Sequence, residues 1–216
     1  MCKILVFLLL AGTIAQPRDL KPGQISGRVI SPEGKPVVDA QVTAALQTGG
    51  PTVRVDRWGM TDDEGRFVID HLAFGKYLMF AEKTSDGYPR RFLWCFYGAN
   101  RAITVALTEL NPSVEFDIEL PPKAGNIIVR FANANVGTFI SAGIKISSRD
   151  GPCSLGTGLS ANDAVQIPSG VDVDLTIDAA GYADWSYSDT HDGAALNLKP
   201  NETVVLKVKL APLNRH

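Results

Sequence analysis

From residue 24 onward the chain is a succession of short period-two runs separated by Gly, Pro and Asp turns. No window carries the 3.6-residue apolar repeat of an amphipathic helix. "QISGRVI" (24–30) alternates apolar with small or polar residues, and "SPEGKP" (31–36) turns it. "VDAQVTAA" (38–45) alternates again, "QTGGP" breaks it, and "TVRVDRWGMT" (52–61) runs into "DDEG". "RFVID" is a short strand. "KYLMFAEK" (76–83) is apolar on both faces, as a central buried strand should be. "AITVAL" and "SVEFDIEL" flank "TELNP". The aromatic run "RRFLWCFYG" (90–98) fits a strand or a packed loop. Short strands with a turn between each pair predict a β-sandwich.

"PPKAG" (121–125) marks a boundary, and a second block of the same kind follows: "NIIVRFA", "SAGIKISS", "VQIPSG", "VDVDLTIDAAGY" and "AALNLKPNETVVLKVKLAPL". The two blocks can be superposed. Gly75 and Gly170 each precede a strand that runs to Gly87-Tyr88 and to Gly181-Tyr182. "ITVALTELNPSVEFDIELPP" (103–122) matches "LNLKPNETVVLKVKLAPL" (196–213) at an offset of 90–95 residues. In the last strands Val114, Phe116, Ile118 and Leu120 alternate with acids. Val204, Leu206, Val208 and Leu210 alternate with Val205 and two lysines, so each final strand should be half-buried. Residues 24–122 and 123–216 are thus expected to be two domains.

Ahead of them stands "MCKILVFLLLAGTIAQ". A lysine, a short apolar run and small residues at Thr13-Ile14-Ala15 read as a secretory signal over 1–15, with 16–23 as a polar leader. No later segment is long and apolar enough for a membrane-spanning helix. Export leaves Cys95 and Cys153, one in each block, and an oxidising compartment permits a bridge between them. Two buried thiols in separate cores is the alternative. The net charge of -2 and pI near 5.9 argue against a nucleic-acid partner.

Gly27, Val29, Gly34, Pro36, Ala40, Val42, Thr61, Asp62, Gly65, Phe67, Leu72, Gly75, Tyr77, Gly87 and Tyr88 form a joint pattern. It is a Gly-x-Val strand, a Gly/Pro turn, a Thr-Asp-x-x-Gly turn, a Phe strand, Leu-x-x-Gly-x-Tyr and a Gly-Tyr close. This pattern resembles the carboxypeptidase regulatory-like domain and the related collagen-adhesin B-type repeats. The resemblance covers about residues 24–89. It implies for that block a Greek-key β-sandwich of transthyretin-like type, usually non-catalytic and extracellular; with the internal repeat, the chain is expected to be all-β, two tandem Greek-key β-sandwich domains of this type. The isopeptide bond of the adhesin repeats is not expected. Arg28 stands where a lysine is wanted and the last strand of the block has no Asn, which leaves Glu82 as a plain exposed strand-end residue. Hydroxyisourate hydrolases and intradiol dioxygenases on similar sandwiches need His sets that His71, His191 and His216 do not supply.

Among candidate chemistries, "DDEG" reads as a turn. Its acids are contiguous and do not converge, so Asp62 and Asp63 are only weak calcium candidates. "SDTHDG" holds Asp189, His191 and Asp192 at a loop tip, which is short of a metal site. No serine lies in Gly-x-Ser-x-Gly, and "GTG" (156–158) lacks the residues of a phosphate loop. No cofactor is implied. Tyr88, Arg90, Phe92, Trp94 and Tyr97 are the strongest ligand-binding set, and Tyr182, Trp185 and Tyr187 occupy the corresponding place in the second block. If exposed, they would stack on sugar rings or dock a protein; otherwise they fill the seam between the blocks. The sequence therefore points to an exported, non-catalytic, secreted or periplasmic module with a protein or polysaccharide partner. A carbohydrate-binding accessory protein, and a hydrolase with an unrecognised site, are the alternatives.

Overall fold

The computed structural model describes residues 23–48, 53–98, 103–132, 142–159 and 164–213; the signal and most of the leader, and His216, lie outside them. The first block contains β1 (Gln24–Ile30), β2 (Gln41–Gln47), β3 (Val53–Met60), β4 (Arg66–Ile69), β5 (Gly75–Glu82), β6 (Ile103–Leu107) and β7 (Ser113–Glu119). They form a three-stranded sheet ordered β4-β1-β7 and a four-stranded sheet ordered β3-β2-β5-β6. β1 runs antiparallel to β4 and parallel to β7. The sheets close on each other because each strand alternates. Ile25 and Val29 of β1, Val42 and Ala44 of β2, and Tyr77, Met79 and Ala81 of β5 point into one core and are fully buried. Ile118 and Leu120 are buried in it too, with Val114 and Phe116 packed at its margin, so β7 is half-buried as its alternation predicts.

Two motif positions have direct physical causes. Gly27 is the register partner of both Phe67 and Phe116, whose rings meet edge to face with centroids 6.2 Å apart. Its φ is +156°, and a Cβ there would overlap the Phe116 carbonyl oxygen. The Thr-Asp-x-x-Gly turn is a hydrogen-bonded knot. The buried Thr61 hydroxyl donates to the Val37 carbonyl and accepts from the Ala40 N–H, both at 2.7 Å. Asp62 Oδ1 accepts the N–H of Glu64 at 3.0 Å and of Arg66 at 2.8 Å. Gly65 takes a φ of +72°, and a Cβ on it would lie 2.8 Å from the Val29 carbonyl oxygen.

The second block repeats the plan. Its strands are β8 (Gly125–Phe131), β9 (Ala142–Ser148), β10 (Ser154–Leu159), β11 (Ala164–Ile167), β12 (Val173–Ala179), β13 (Trp185–Ser186) and β14 (Thr203–Val208). They form sheets ordered β11-β8-β14 and β10-β9-β12-β13, with β8 parallel to β14. Strand for strand this is the first block again, and each block is a Greek-key sandwich.

No single offset carries through both blocks from first strand to last. Leu46 faces Tyr77 as Ile146 faces Leu175, and Val29 faces Ile118 as Val129 faces Leu206. In the first block the parallel partner lies 89 positions on (Val29 to Ile118) and in the second 77 (Val129 to Leu206), so the shift at the last strands is 12 smaller than at the first. The drift comes from unequal connections. Residues 83–102 join β5 to β6, whereas residues 180–184 join β12 to β13. The second block instead inserts after β13, where the short helix α1 (Tyr187–Thr190) precedes a bridge from Leu196 to Val173.

Candidate functional site

The extra length between β5 and β6 is where the candidate aromatics lie. After β5 the chain makes a 3₁₀ turn at Thr84–Asp86, passes Tyr88-Pro89, and enters a 3₁₀ segment at Arg91–Tyr97. Such a segment needs acceptors for its first N–H groups. Glu82 supplies one, its Oε1 accepting the Arg91 N–H at 2.5 Å. This corrects the expectation that Glu82 is a plain exposed strand end; its role depends on a helical turn that the sequence does not announce.

This segment presents successive side chains to different cores. Trp94 packs into the first core, its ring edge-on to Phe80 at 6.1 Å. Leu93 and Phe96 are buried in the second core beside Ile144, Ile146 and Val173. Cys95 is joined by a disulfide to Cys153, with Cα atoms 5.8 Å apart. Around them lie polar ties. The Gln166 side chain of β11 accepts the Arg90 N–H at 3.3 Å and donates to the Tyr88 carbonyl at 3.4 Å. The Tyr97 hydroxyl accepts the Ser169 N–H at 2.9 Å, and the Ser169 hydroxyl donates to the Lys123 carbonyl at 2.7 Å. The Ala124 N–H donates to the Gly87 carbonyl at 2.8 Å. Residues 83–98 are a clasp: an insertion in one sandwich that completes the other.

The structure thereby sorts the expected binding set. Tyr88 and Trp94 are 6% and 2% exposed, so neither offers a face to a sugar ring; they are packing residues. Burial holds the Tyr88 phenol above its usual range, reinforced by Glu33 nearby, and Lys123 Nζ lies 5.5 Å from its ring. Tyr97 is half-buried and tied to Ser169. Phe92, Arg90 and Arg91 remain exposed. Tyr182, Trp185 and Tyr187 are half-buried against the second core, and Tyr187 stacks on His191 at 3.9 Å. The aromatics do not form one flat exposed row.

One cleft, of about 420 Å³, opens between the clasp and the second sandwich and is lined by Thr84, Arg90, Phe92, Leu155, Thr157 and Gln166. Arg90 and Arg91 make no ion pair among the described residues, so two cations stand at or beside its mouth. An apolar ring beside exposed guanidinium groups at a domain seam suits a ligand with a flat apolar face and an anionic or hydroxyl-rich edge.

Of the other polar candidates, Asp62, His71 and His191 are engaged within the fold. Arg66 Nε donates to Asp62 Oδ2 at 3.0 Å, and its NH2 group donates to Glu64 at 2.6 Å. The N–H of Arg66, then its guanidinium, hold the Asp62 carboxyl below its usual range. Asp63 is exposed beside this turn. His191 Nδ1 lies 2.9 Å from the Tyr187 carbonyl oxygen, and Asp189 is part of the same exposed turn. His71 pairs with Asp70 at 3.0 Å. Among the described residues no three His, Cys, Asp or Glu side chains converge as a metal-holding group.

Several solved structures are similar to this chain at low identity and low TM-score. The Bacillus anthracis TIE protein is 16% identical over 87% of this chain, with a TM-score of 0.36, and the chain spans only 34% of that protein. A streptococcal ancillary pilin is 11% identical over 91% of this chain and 64% of its own, TM-score 0.37. The shaft pilin SpaA of Lactobacillus rhamnosus GG is 11% identical over 91% of this chain and all of its own, TM-score 0.32. At these values the likeness says nothing of function. No curated protein matches the chain. The family model of the carboxypeptidase regulatory-like domain matches residues 24–91. That span runs from β1 through β5 to the first residue of the 3₁₀ segment. The first of the two sandwiches is therefore a member of the carboxypeptidase regulatory-like domain family.

Proposed function

We propose that the protein is an exported, non-catalytic module in which two sandwiches act as one rigid unit in the periplasm or outside the cell. The observation that carries this reading is the clasp. It fills the second core with Leu93 and Phe96 and bonds Cys95 to Cys153. A disulfide across the seam requires an oxidising compartment, in agreement with the signal-like N-terminus. The regulatory-like family supports a non-catalytic role. So does the engagement of Asp62, His71 and His191 with neighbouring groups of the fold. No helix among the described residues is long and apolar enough to cross a membrane.

Binding on this reading uses the mouth of the cleft at Arg90, Arg91 and Phe92 rather than a row of stacked aromatics. The test is fractionation of cells expressing the full-length chain, followed by thiol counting on the exported protein. Recovery outside the cytoplasm with Cys95 and Cys153 oxidised supports the proposal. A cytoplasmic protein with both thiols free would reject it. A glycan and protein-ligand screen of wild type against an Arg90→Ala, Phe92→Ala pair then reads the binding surface. A ligand whose binding is unchanged in that pair removes the cleft mouth from the proposal.

A further inference from the structure

β3 is an edge strand: it pairs with β2, and no described strand lies on its other side. An unpaired edge offers a row of backbone donors and acceptors to any passing strand, and natural proteins blunt such edges. β3 is not blunted by apolar content. Val55, Trp58 and Met60 are 45%, 61% and 49% exposed on the outer face. That face continues inward as apolar or small rows, Trp58–Thr43–Phe80 and Val55–Ala45–Leu78. The charges on this edge are Arg54, Asp56 and Arg57.

The β-bulge decides what can pair there. In a regular strand, a two-fold antiparallel pair must match residues on the same face. The sum of their numbers is then even, and the axis passes through a residue facing its own copy. On β3 the central registers of that kind set Asp56 against Asp56 or Arg57 against Arg57. The bulge changes the parity. Ala44 faces Arg57 while Ala45 faces Val55, which leaves Asp56 as the extra residue. Arg57 lies toward the core face, opposite buried Ala44, and Asp56 is turned the same way, accepting the buried Tyr77 hydroxyl at 3.3 Å.

We propose that β3 is a homodimerisation edge. Two copies pair β3 to β3 antiparallel, with the two-fold axis between Asp56 and Arg57, and join their four-stranded sheets into one of eight strands. In that register Asp56 faces Arg57 of the second copy, twice per dimer. Val55 faces Trp58 of the second copy on the outer face, and Arg54 faces Gly59 on the inner face. Every pair keeps its side of the sheet, and every charge meets its opposite or a glycine. The bulge and charges that repel an arbitrary strand thus admit this one.

The test is sedimentation of the full chain over a concentration series, with thermal melting as the folding control. Wild type is expected to dimerise. Asp56→Arg and Arg57→Asp each set two like-charge pairs across the axis and should weaken dimerisation about tenfold or more. The Asp56→Arg, Arg57→Asp double variant restores opposite charges and should recover most of that loss. A wild type that stays monomeric at about 100 μM, which corresponds to association weaker than about 5.5 kcal/mol, overturns the proposal. So does a dimer indifferent to both single reversals, or a double variant no better than the singles. If a reversal does not fold, cysteine mixing decides instead. Val55→Cys chains mixed with Trp58→Cys chains should cross-link on mild oxidation, whereas either alone should not, since each residue lies three positions from its own copy. Equal cross-linking in all three samples, or none in the mixture, rejects the register.

Discussion

The Tyr97 hydroxyl oxygen accepts the main-chain N–H of Ser169 at 2.9 Å, reaching from the clasp of the first sandwich to the edge of the second. Ser169 is 1% exposed, so its amide has little access to water. Tyr97→Phe keeps the ring and removes the acceptor, leaving a buried N–H without this partner. The expected loss is about 1–3 kcal/mol in urea denaturation. Tyr187→Phe should cost under about 0.5 kcal/mol, as half-exposed sites away from buried polar groups do. Equal stability of wild type and Tyr97→Phe would show that the tie does not form.

The Cys95–Cys153 bond closes a loop with a sequence separation of 58 between sandwiches. The oxidised protein should show no reactive thiol from this pair in denaturant without reductant. Cys153→Ser should lower stability by about 2–4 kcal/mol, the typical contribution of a disulfide. Small-angle scattering should detect greater interdomain freedom in the variant than in wild type. Two titratable thiols in the native protein would rule out the bond, and an unchanged scattering profile would rule out its role as a clamp.

Trp94 is predicted to be a stability residue rather than a ligand residue. Its ring is 2% exposed and packed on Phe80 in the first core. Trp94→Ala should cost about 3–5 kcal/mol, the usual range for emptying a buried aromatic site. Phe92→Ala, at an exposed ring, should cost under about 0.5 kcal/mol. If Trp94→Ala melts like wild type and loses only ligand binding, the packing role is wrong.

How much was legible in the sequence follows from where each signal resides. The strands were readable because Val114, Phe116, Ile118 and Leu120 carry their burial in their own spacing. The Thr61–Gly65 turn was readable because Asp62 and Gly65 act within a few residues of each other. The clasp was not. Leu93, Trp94 and Phe96 look alike as apolar residues, and only a 3₁₀ segment between two cores sends Trp94 one way and its neighbours the other. Glu82 was missed for the same reason: its partner is a backbone N–H nine residues on, presented by a turn with no sequence signature. The repeat is visible, but one offset does not carry through it. Insertions fall after β5 in one block and after β13 in the other, so an alignment by Gly-Tyr pairs averages across both.

Gly27 and Gly34 separate conformational from steric demand. Gly27 has a φ of +156°, and a Cβ would run into the Phe116 carbonyl between paired strands. Gly34 has a φ of +75°, and no atom lies within 4 Å of an added Cβ. Gly34→Ala should cost about 1 kcal/mol, the strain of a left-handed alanine alone. Gly27→Ala must also push β7 away from β1, so it should cost several times more or prevent folding. Comparable melting temperatures for the two variants would contradict the close approach.

The Asp62 turn gives a pH dependence with a defined sign. The Arg66 N–H, with the Arg66 guanidinium and the Glu64 N–H, holds the folded-state carboxyl below its ordinary value. A Ser31 hydroxyl does the same for Glu33, donating at 2.7 Å. A carboxyl whose pKa is lowered by folding stabilises the fold above its unfolded value, about 3.9 for Asp and 4.3 for Glu. That contribution is lost as pH falls through the lower folded-state value. Stability should therefore be level from neutral pH to about 5 and then fall below about 4. Asp62→Asn should flatten part of that fall, because asparagine keeps an acceptor oxygen for the turn but does not titrate. Glu33→Gln should flatten a smaller part, having the Ser31 hydroxyl and its own N–H in place of two amides and a guanidinium. Urea midpoints at intervals between pH 7 and pH 2.5 read both effects. An acid limb with the same slope in Asp62→Asn as in wild type would mean that the turn does not hold a charged carboxylate.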